Sequence, residues 1–444
     1  MSDLIGIGAS GIRGYSRALQ TIGDNIANAQ TPGFARRSIV LSDQPGSGDA
    51  VLYRNQVSPG GVLATGVTRS TDPWLIQDAR RSGSDAARTG AKLTWLEAAE
   101  SALNDSGAGV GRAMTGVFNR ADELAADSSN TARRSAFLQS VDDVATTFRR
   151  TAGGLASAAD GVATASNLAI GQLNTDIGAL TRVNDGLRRA RDGSSNQASL
   201  LDERDRLLDS ITAVLPADIA YDAKGAVSLT VSGGTLLAGA DRATLSVTVA
   251  GDGRLSVSAT SPSGTFSVSP TGGTLNGQID AAAHIADQRA DLNTLANSFG
   301  SALNIQHAAG RDSSGNDGRP LMTIGTSAAD LVATALTATD VATADASTAN
   351  GNALAFGNLR GSSGGEASWA TLVAQQSQIV SSARAQDAVA TARYEGSASA
   401  RDSLSAIDLD REAADLLRFQ QAYDASARVI QVARETMQSI MNAL

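Results

Sequence analysis

Apolar positions near the start of the chain fall on a heptad grid. Ile5, Ile12, Leu19 and Ile26 are spaced by seven, and Tyr15, Ile22 and Ala29 follow the last three of them by three places. An a/d repeat of this kind keeps one apolar edge on one side of a helix and favours a left-handed supercoil. The far end carries the same grid. Leu409, Leu416, Tyr423, Ile430, Met437 and Leu444 repeat every seven, with Phe419, Ala433 and Ile440 at following d positions and Ser426 as a polar d residue among them. A single stripe is as readily an amphipathic helix lying on a globular core. Two matching stripes at opposite ends favour mutual burial, which requires the termini to meet in space.

The first stripe also contains Gly6, Gly8, Gly11, Gly14 and Gly23. At about 0.8–1 kcal/mol each relative to Ala, they cost an isolated helix roughly 4–5 kcal/mol. The segment is therefore expected to stay frayed until a partner supplies burial.

Between the ends, residues 74–212 read as helix at a period near 3.6: Trp74 and Leu75, then Leu93, Leu96, Ala99 and Leu103, then Phe137, Val141, Val144 and Phe148, then an Ala/Leu/Ile/Val run to Leu201 and Leu208. Pro216 ends this region. From Ile219 to Ser269 the pattern alternates, as in Val227-Ser228-Leu229-Thr230-Val231 and Leu245-Ser246-Val247-Thr248-Val249, with Ser232-Gly233-Gly234 and Gly251-Asp252-Gly253 as turns. Helix is predicted again from Gly277 to about Ala309, a loop over Gly310–Pro320, and helix from about Ser368 to the end. The expected fold is mainly α with an inserted small β domain (α+β). Its terminal helical domain takes 1–40 and 400–444, a helical bundle takes 41–215 and 277–399, and the β-rich insertion takes 216–276.

Composition narrows the chemistry. At 444 residues, with 42% hydrophobic, 18% charged and 4% aromatic residues, the chain can bury sizeable cores built from small aliphatics. A net charge of −9 without a Lys/Arg cluster argues against nucleic acid as a partner. There is no Cys, which excludes disulfides, thiolate metal sites and cysteine nucleophiles. No run approaches the roughly 20 apolar residues of a membrane span, so no membrane insertion is expected. The start, Met1 to Ser10, lacks the features of a cleaved secretory signal, so export would need another route.

Candidate chemical motifs are weak. Gly6-Ile7-Gly8-Ala9-Ser10-Gly11 matches GxGxxG, but no preceding strand and no acidic residue about 20 positions on support a dinucleotide site, and the heptad accounts for the same residues. His284 and His307 have no ligand-spaced companion, so structural roles are expected. Asp312 to Gly318 has oxygen ligands but not the EF-hand order, which favours a turn. Leu201-Asp202-Glu203-Arg204-Asp205-Arg206-Leu207 alternates charge at helical spacing, the pattern of a solvated, salt-bridged face. No catalytic residue, cofactor site or metal site is assigned.

One segment carries a resemblance. Asn25-Ile26-Ala27-Asn28-Ala29-Gln30-Thr31-Pro32-Gly33-Phe34 resembles the signature that ends the N-terminal helix of the flagellar rod, hook and hook-associated proteins. Pro32-Gly33 stops the helix, and Asn25 and Asn28 can bond local backbone where it ends. Phe34 stands where tyrosine is common. Leu200–Asp209, Leu303–His307 with Gly310–Asp312, and Ile407–Ala414 with Leu416–Tyr423 resemble stretches of the hook-associated protein 1 family, in the family's order. Thr326–Thr337 is short where many members carry a further β-rich domain, which implies that the outermost domain is absent.

The resemblance implies a non-enzymatic structural subunit of the bacterial flagellum at the hook-filament junction, secreted by type III export without a cleaved signal peptide. Its terminal helices would line an inner tube, the bundle would form the next shell, and the β unit would face outward. Implied partners are further copies of the chain, the hook protein, the second junction protein and an export chaperone for the C-terminal helix. A hook or distal rod protein, or a secreted coiled-coil adhesin, is the alternative.

Overall fold

The computed structural model describes residues 2–31, 33–44, 60–105 and 107–443. Helix α1 (Ser2–Ala27) leads into a hairpin of β1 (Arg37–Gln44) and β2 (Gly61–Arg69). Then come α2 (Pro73–Ala102), α3 (Val110–Ala126), α4 (Thr131–Arg189) and α5 (Ser195–Val214). The starts of these helices follow from capping. Asp72 accepts from the amides of Trp74 and Leu75, with Pro73 in the first turn, and Asn130 accepts from those of Ala132 and Arg133.

The β insertion comprises two antiparallel sheets built from sequential hairpins. One joins β3 (Asp218–Tyr221), β4 (Val227–Val231), β5 (Gly234–Ala238) and β6 (Asp241–Arg242); the other joins β7 (Thr244–Val249), β8 (Leu255–Ser261) and β9 (Gly264–Val268). Helices α6 (Gly273–Ala308), α7 (Gly351–Ala355), α8 (Gly365–Ser405) and α9 (Leu409–Ala443) complete the chain.

The 59-residue α4 sets the layout. At about 1.5 Å per residue it runs close to 90 Å and serves two cores in turn. Its first half contributes Phe137, Val141, Val144, Phe148 and Leu155 to a core with Phe118, Phe299 and Phe356. Its second half contributes Ile170, Leu173, Ile177, Leu180 and Leu187 to a core shared with Leu229, Leu237, Leu245, Val257 and Ala259 of the sheets. Period-2 strand residues thus meet a period-3.6 stripe, each burying its apolar side.

Helix asparagines stitch strands to helices. Asn174 bonds both backbone groups of Leu245 (2.9 Å each), and Asn184 bonds those of Val227 (2.7 and 2.9 Å). A carboxamide offers one donor and one acceptor and can stand in for a strand neighbour.

Three features depart from the sequence expectation. The hairpin β1–β2 begins in the stretch assigned to the terminal helical domain and runs into the one assigned to the helical bundle. The last helical stretch is broken at Ala406–Asp408, where Asp408 caps α9 by accepting from Asp410 and Arg411 amides. The residues Asp202, Arg204 and Asp205, taken as a solvated face, are buried.

His307 is buried: its Nε2 accepts from the Ala342 amide (2.8 Å), so its Nδ1 carries the proton and donates to the Arg319 carbonyl (2.6 Å). His284 bonds Gln376. Asp312 closes a turn onto the amides of Ser314 and Asn316, with Gly315 at φ +83°.

Candidate assembly interface

Helices α1 and α9 pack antiparallel along one another, Gly8 lying by Ile430, Tyr15 by Phe419 and Asn25 by Glu412. The α1 side of the seam runs through Gly8, Gly11, Tyr15, Ala18, Ile22 and Asn25, a 3-4 spacing set beside the Ile5, Ile12, Leu19 row. The glycines explain the choice. A Cβ at Gly8 would stand 2.6 Å from Ile430 Cγ1, and one at Gly11 would stand 3.0 Å from Ser426 Cβ, so the helices approach only because these side chains are missing. Gly6–Gly11 therefore lies within a helix, with Gly8 and Gly11 serving close packing and no strand before them.

On α1, Ile22 is buried and Ile5, Ile12 and Leu19 are half-buried flanks, while Ile26 faces solvent. On α9, Leu416, Phe419, Tyr423 and Ile430 are half-buried along the seam with Ala433. Leu409 (54% exposed), Met437 and Ile440 face solvent. Leu444 lies outside the described residues. For Met437 and Ile440 the reason is length: near Ile430 the seam has reached Gly8, so the described part of α1 runs out alongside the stretch after Ala433 and the rest of α9 overhangs it. Leu4, Val429, Val432 (60%), Ala433 and Thr436 border a groove of about 660 Å³ beside the seam. Ile440 and Met441 (67%) extend this apolar surface.

The signature at the end of α1 builds the base of the rod that α1 and α9 form. Asn25 is fully buried: its Nδ2 donates to the Arg37 carbonyl (2.8 Å) and to Glu412 Oε2 (3.0 Å), while its Oδ1 accepts from the Arg37 amide (3.0 Å). Arg36 Nε donates to the other oxygen of Glu412 (2.7 Å). Asn28 bonds the Asp24 carbonyl and accepts from Thr31, Gly33 turns with φ +81°, and the Phe34 ring lies 4.5 Å from the Arg37 guanidinium. Pro32 lies outside the described residues.

Charges of α5, buried at Asp202, Arg204 and Asp205 and half-exposed at Asp209, complete the base. Asp202, Asp205 and Asp209 share one helical face. Asp202 is held by Arg37 (2.6 Å) and Arg69 (2.7 Å), Asp205 by Arg69 (2.8 Å), Arg204 (2.6 Å) and Arg80 (3.3 Å), and Asp209 by Arg80 (2.6 Å) and Arg401 (3.0 Å). Burial alone would raise the Asp205 carboxyl; Arg204, Arg69 and Arg80 outweigh it and hold it below the usual range. The solvated-face expectation holds for the exposed Glu203–Arg206 pair and fails for Asp202, Arg204 and Asp205, because partners other than Arg204 come from the hairpin, α2 and α8, remote in sequence. The spacing of the three aspartates was the available signal; nothing local to Arg37, Arg69, Arg80 or Arg401 marked them.

Among the described residues no group of His, Cys, Asp or Glu is arranged to hold a metal, and no helix is long and apolar enough to cross a membrane.

A pair of terminal helices with exposed apolar surface, seated through charged contacts on a helical body, defines a mainly α protein of rod-on-body architecture. Comparison with known proteins makes the class specific. The model for the flagellar hook-associated protein FlgK helical domain matches residues 96–322, and that for the flagellar basal body rod FlgEFG protein C-terminal region matches residues 400–443. The chain belongs to the flagellar hook-associated protein FlgK family.

It is 22% identical to flagellar hook-associated protein 1 of Salmonella typhimurium over 335 residues, covering 73% of this chain and 60% of that protein. It is 22% identical to the Bacillus subtilis protein of that name over a 484-residue alignment that covers 96% and 95% of the two. The chain spans about 60% of the length of the Salmonella relative. The flagellar hook junction protein FlgK of Burkholderia pseudomallei shares its fold at a TM-score of 0.51 and 20% identity, covering 56% of this chain and 47% of that one.

Proposed function

We propose that this chain is a non-catalytic structural subunit of the extracellular bacterial flagellum that forms the junction between hook and filament and permits the filament to assemble. The observation that carries this is the α1–α9 rod, whose apolar groove and overhanging Ile440 and Met441 have no partner within the described chain. Each large side chain fully buried by a neighbour contributes about 1.5–3 kcal/mol, so repeated rod-on-rod contact supplies the cohesion of an axial layer. One surface of each copy then meets a different surface of the next, the heterologous packing that builds open or ring-closed layers.

In this role the chain self-associates, sits on the hook protein, receives the second junction protein above, and travels by type III export without a cleaved signal. An export chaperone covers α9 before assembly, and the β sheets face outward. The names of the Salmonella, Bacillus and Burkholderia relatives support the same assignment.

Deleting the gene in its native host tests it. Electron microscopy is expected to show hooks without filaments, with flagellin shed into the medium. Normal filaments would overturn the junction assignment and favour the adhesin.

A further inference from the structure

The surface beside the start of α2 is incomplete by itself. Trp74, Gln77, Arg81 and Asp85 recur at helical spacing and share one face of α2. Trp74 is 68% exposed, whereas Trp369 is buried and Trp95 packs on the cores. Arg81 is exposed and makes no hydrogen bond or ion pair among the described residues. Gln77, Arg81 and Asp85 border a cavity of about 750 Å³ that Pro216, Ile219 and Tyr221 also line. Buried Ser84 borders it too, and its hydroxyl has no partner among the described residues.

The same cavity runs beside a free strand edge. Strand β3 is the last of its sheet and pairs with β4 alone. The Asp222 amide bonds the Ala226 carbonyl (2.8 Å), which fixes the alternation: Asp218 and Ala220 turn their backbone groups towards β4, and Ile219 and Tyr221 turn theirs away. Val227, opposite Tyr221, follows the same rule, since its amide and carbonyl bond Asn184 and not β3. The outward backbone groups of Ile219 and Tyr221 have no partner among the described residues.

We propose that this cavity is a docking site for an extended segment of a neighbouring copy of the chain, which pairs with the free edge of β3 and sets a carboxylate on Arg81. An unpaired strand edge and an orphaned hydroxyl call for alternating backbone donors and acceptors, which an extended polypeptide supplies. Trp, Tyr and Arg around a pocket are the residues in which binding energy concentrates. The rim carries both signs, because Asp218 is exposed there and Asp85 has only a long contact to Arg88 (3.9 Å). Such a rim repels a phosphate backbone or an anionic lipid surface and suits a polypeptide bearing both charges. A copy is the occupant because Arg69 and Thr71, at the foot of the rod, also border the cavity, so copies packed rod against rod bring their bodies alongside it. With a net charge of −9, each copy has carboxylates to offer Arg81. The docking rests on the junction reading, in which copies form a layer.

The test uses flagella assembled in the native host. The photoreactive residue p-benzoylphenylalanine is placed at Gln77, exposed on the rim, and separately at Val432, exposed on the rod. Irradiation of sheared flagella is expected to give, from Gln77, a species of twice the chain's mass that contains this chain alone, and from Val432 a species joining rods. Trp74→Ala, Arg81→Glu and Ile219→Pro are each expected to lower the Gln77 yield at least about tenfold and to leave the Val432 yield unchanged. Trp74 and Arg81 are exposed, so their variants keep the fold; Ile219→Pro removes an outward amide, which an edge strand tolerates. A Gln77 species containing a different protein, a Val432 species without a Gln77 species, an unchanged Gln77 yield in the variants, or equal loss of both species would overturn the docking site. Absence of the chain from flagella would overturn the junction reading, and the docking with it.

Discussion

Replacing glycines of α1 by alanine is expected to act with opposite sign at different positions, because intrinsic helix propensity and seam packing compete. At Gly23 a Cβ would meet nothing within 4 Å, so Gly23→Ala keeps the whole propensity gain of about 0.8–1 kcal/mol. At Gly8 the same methyl would stand 2.6 Å from Ile430 Cγ1 and 3.1 Å from the Ser426 carbonyl; at Gly11 it would stand 2.4 Å from Ser426 Oγ and 3.0 Å from its Cβ. Carbon contacts settle at about 3.5–4.0 Å, so α1 and α9 must part by roughly 1 Å, and a gap of that size forfeits about a quarter to a half of each dispersion contact along the seam.

Overpacking costs typically about 1–3 kcal/mol, which exceeds the propensity gain, so Gly8→Ala and Gly11→Ala are each expected to lose about 0–2 kcal/mol. Hydrogen exchange of α1 peptides in the full chain reads this directly, since 1.4 kcal/mol corresponds to tenfold in the opening equilibrium. Gly23→Ala should slow exchange about fourfold to fivefold, and the Gly8→Ala, Gly11→Ala double variant should speed it by up to about 700-fold. If the double variant is protected as well as Gly23→Ala, the close seam is wrong.

Two further outcomes follow from the same geometry. Ile430→Asp places a carboxylate in the seam against Gly8; the thermal transition of the body is expected to remain and incorporation into flagella to be lost, whereas normal incorporation would remove the seam from the assembly surface. Burial holds the His307 imidazole below its ordinary range, so the folded loop disfavours the protonated ring. Its contribution is therefore complete above the unfolded value of about 6.5 and is lost as pH falls below it. The opening equilibrium of amides in the Ala338–Ala344 segment, read from exchange rates corrected for the falling base-catalysed intrinsic rate, should rise as pH drops below the unfolded value, and a corrected profile that stays flat would contradict the buried neutral ring.

Much of the architecture was legible in the residues. The long helices, the β insertion between Pro216 and Gly273, and the α9 stripe through Leu416, Tyr423 and Ile430 all show as periodicity, because alternate burial leaves a repeat in the sequence. The signature from Asn25 to Phe34 pointed to the flagellar axial proteins before any coordinate. The hairpin β1–β2 was not legible: its strands mix Ser, Arg, Thr and Gly with aliphatics and pack on α1 without clean alternation.

By itself, then, the sequence determined which segments are helix or strand, that the two ends share a seam period, and which family they resemble, since these depend on local order. Tertiary structure alone decided that Gly8 and Gly11 of α1 are the contact surface and that Ile26, Met437 and Ile440 face outward, because both depend on where the second helix lies and ends. It also decided that Asp202 and Asp205 are buried in a charged seat that half-exposed Asp209 extends. A carboxylate's role is set by the cations brought to it, and Arg37, Arg69, Arg80 and Arg401 reach α5 only once the chain has folded back on itself.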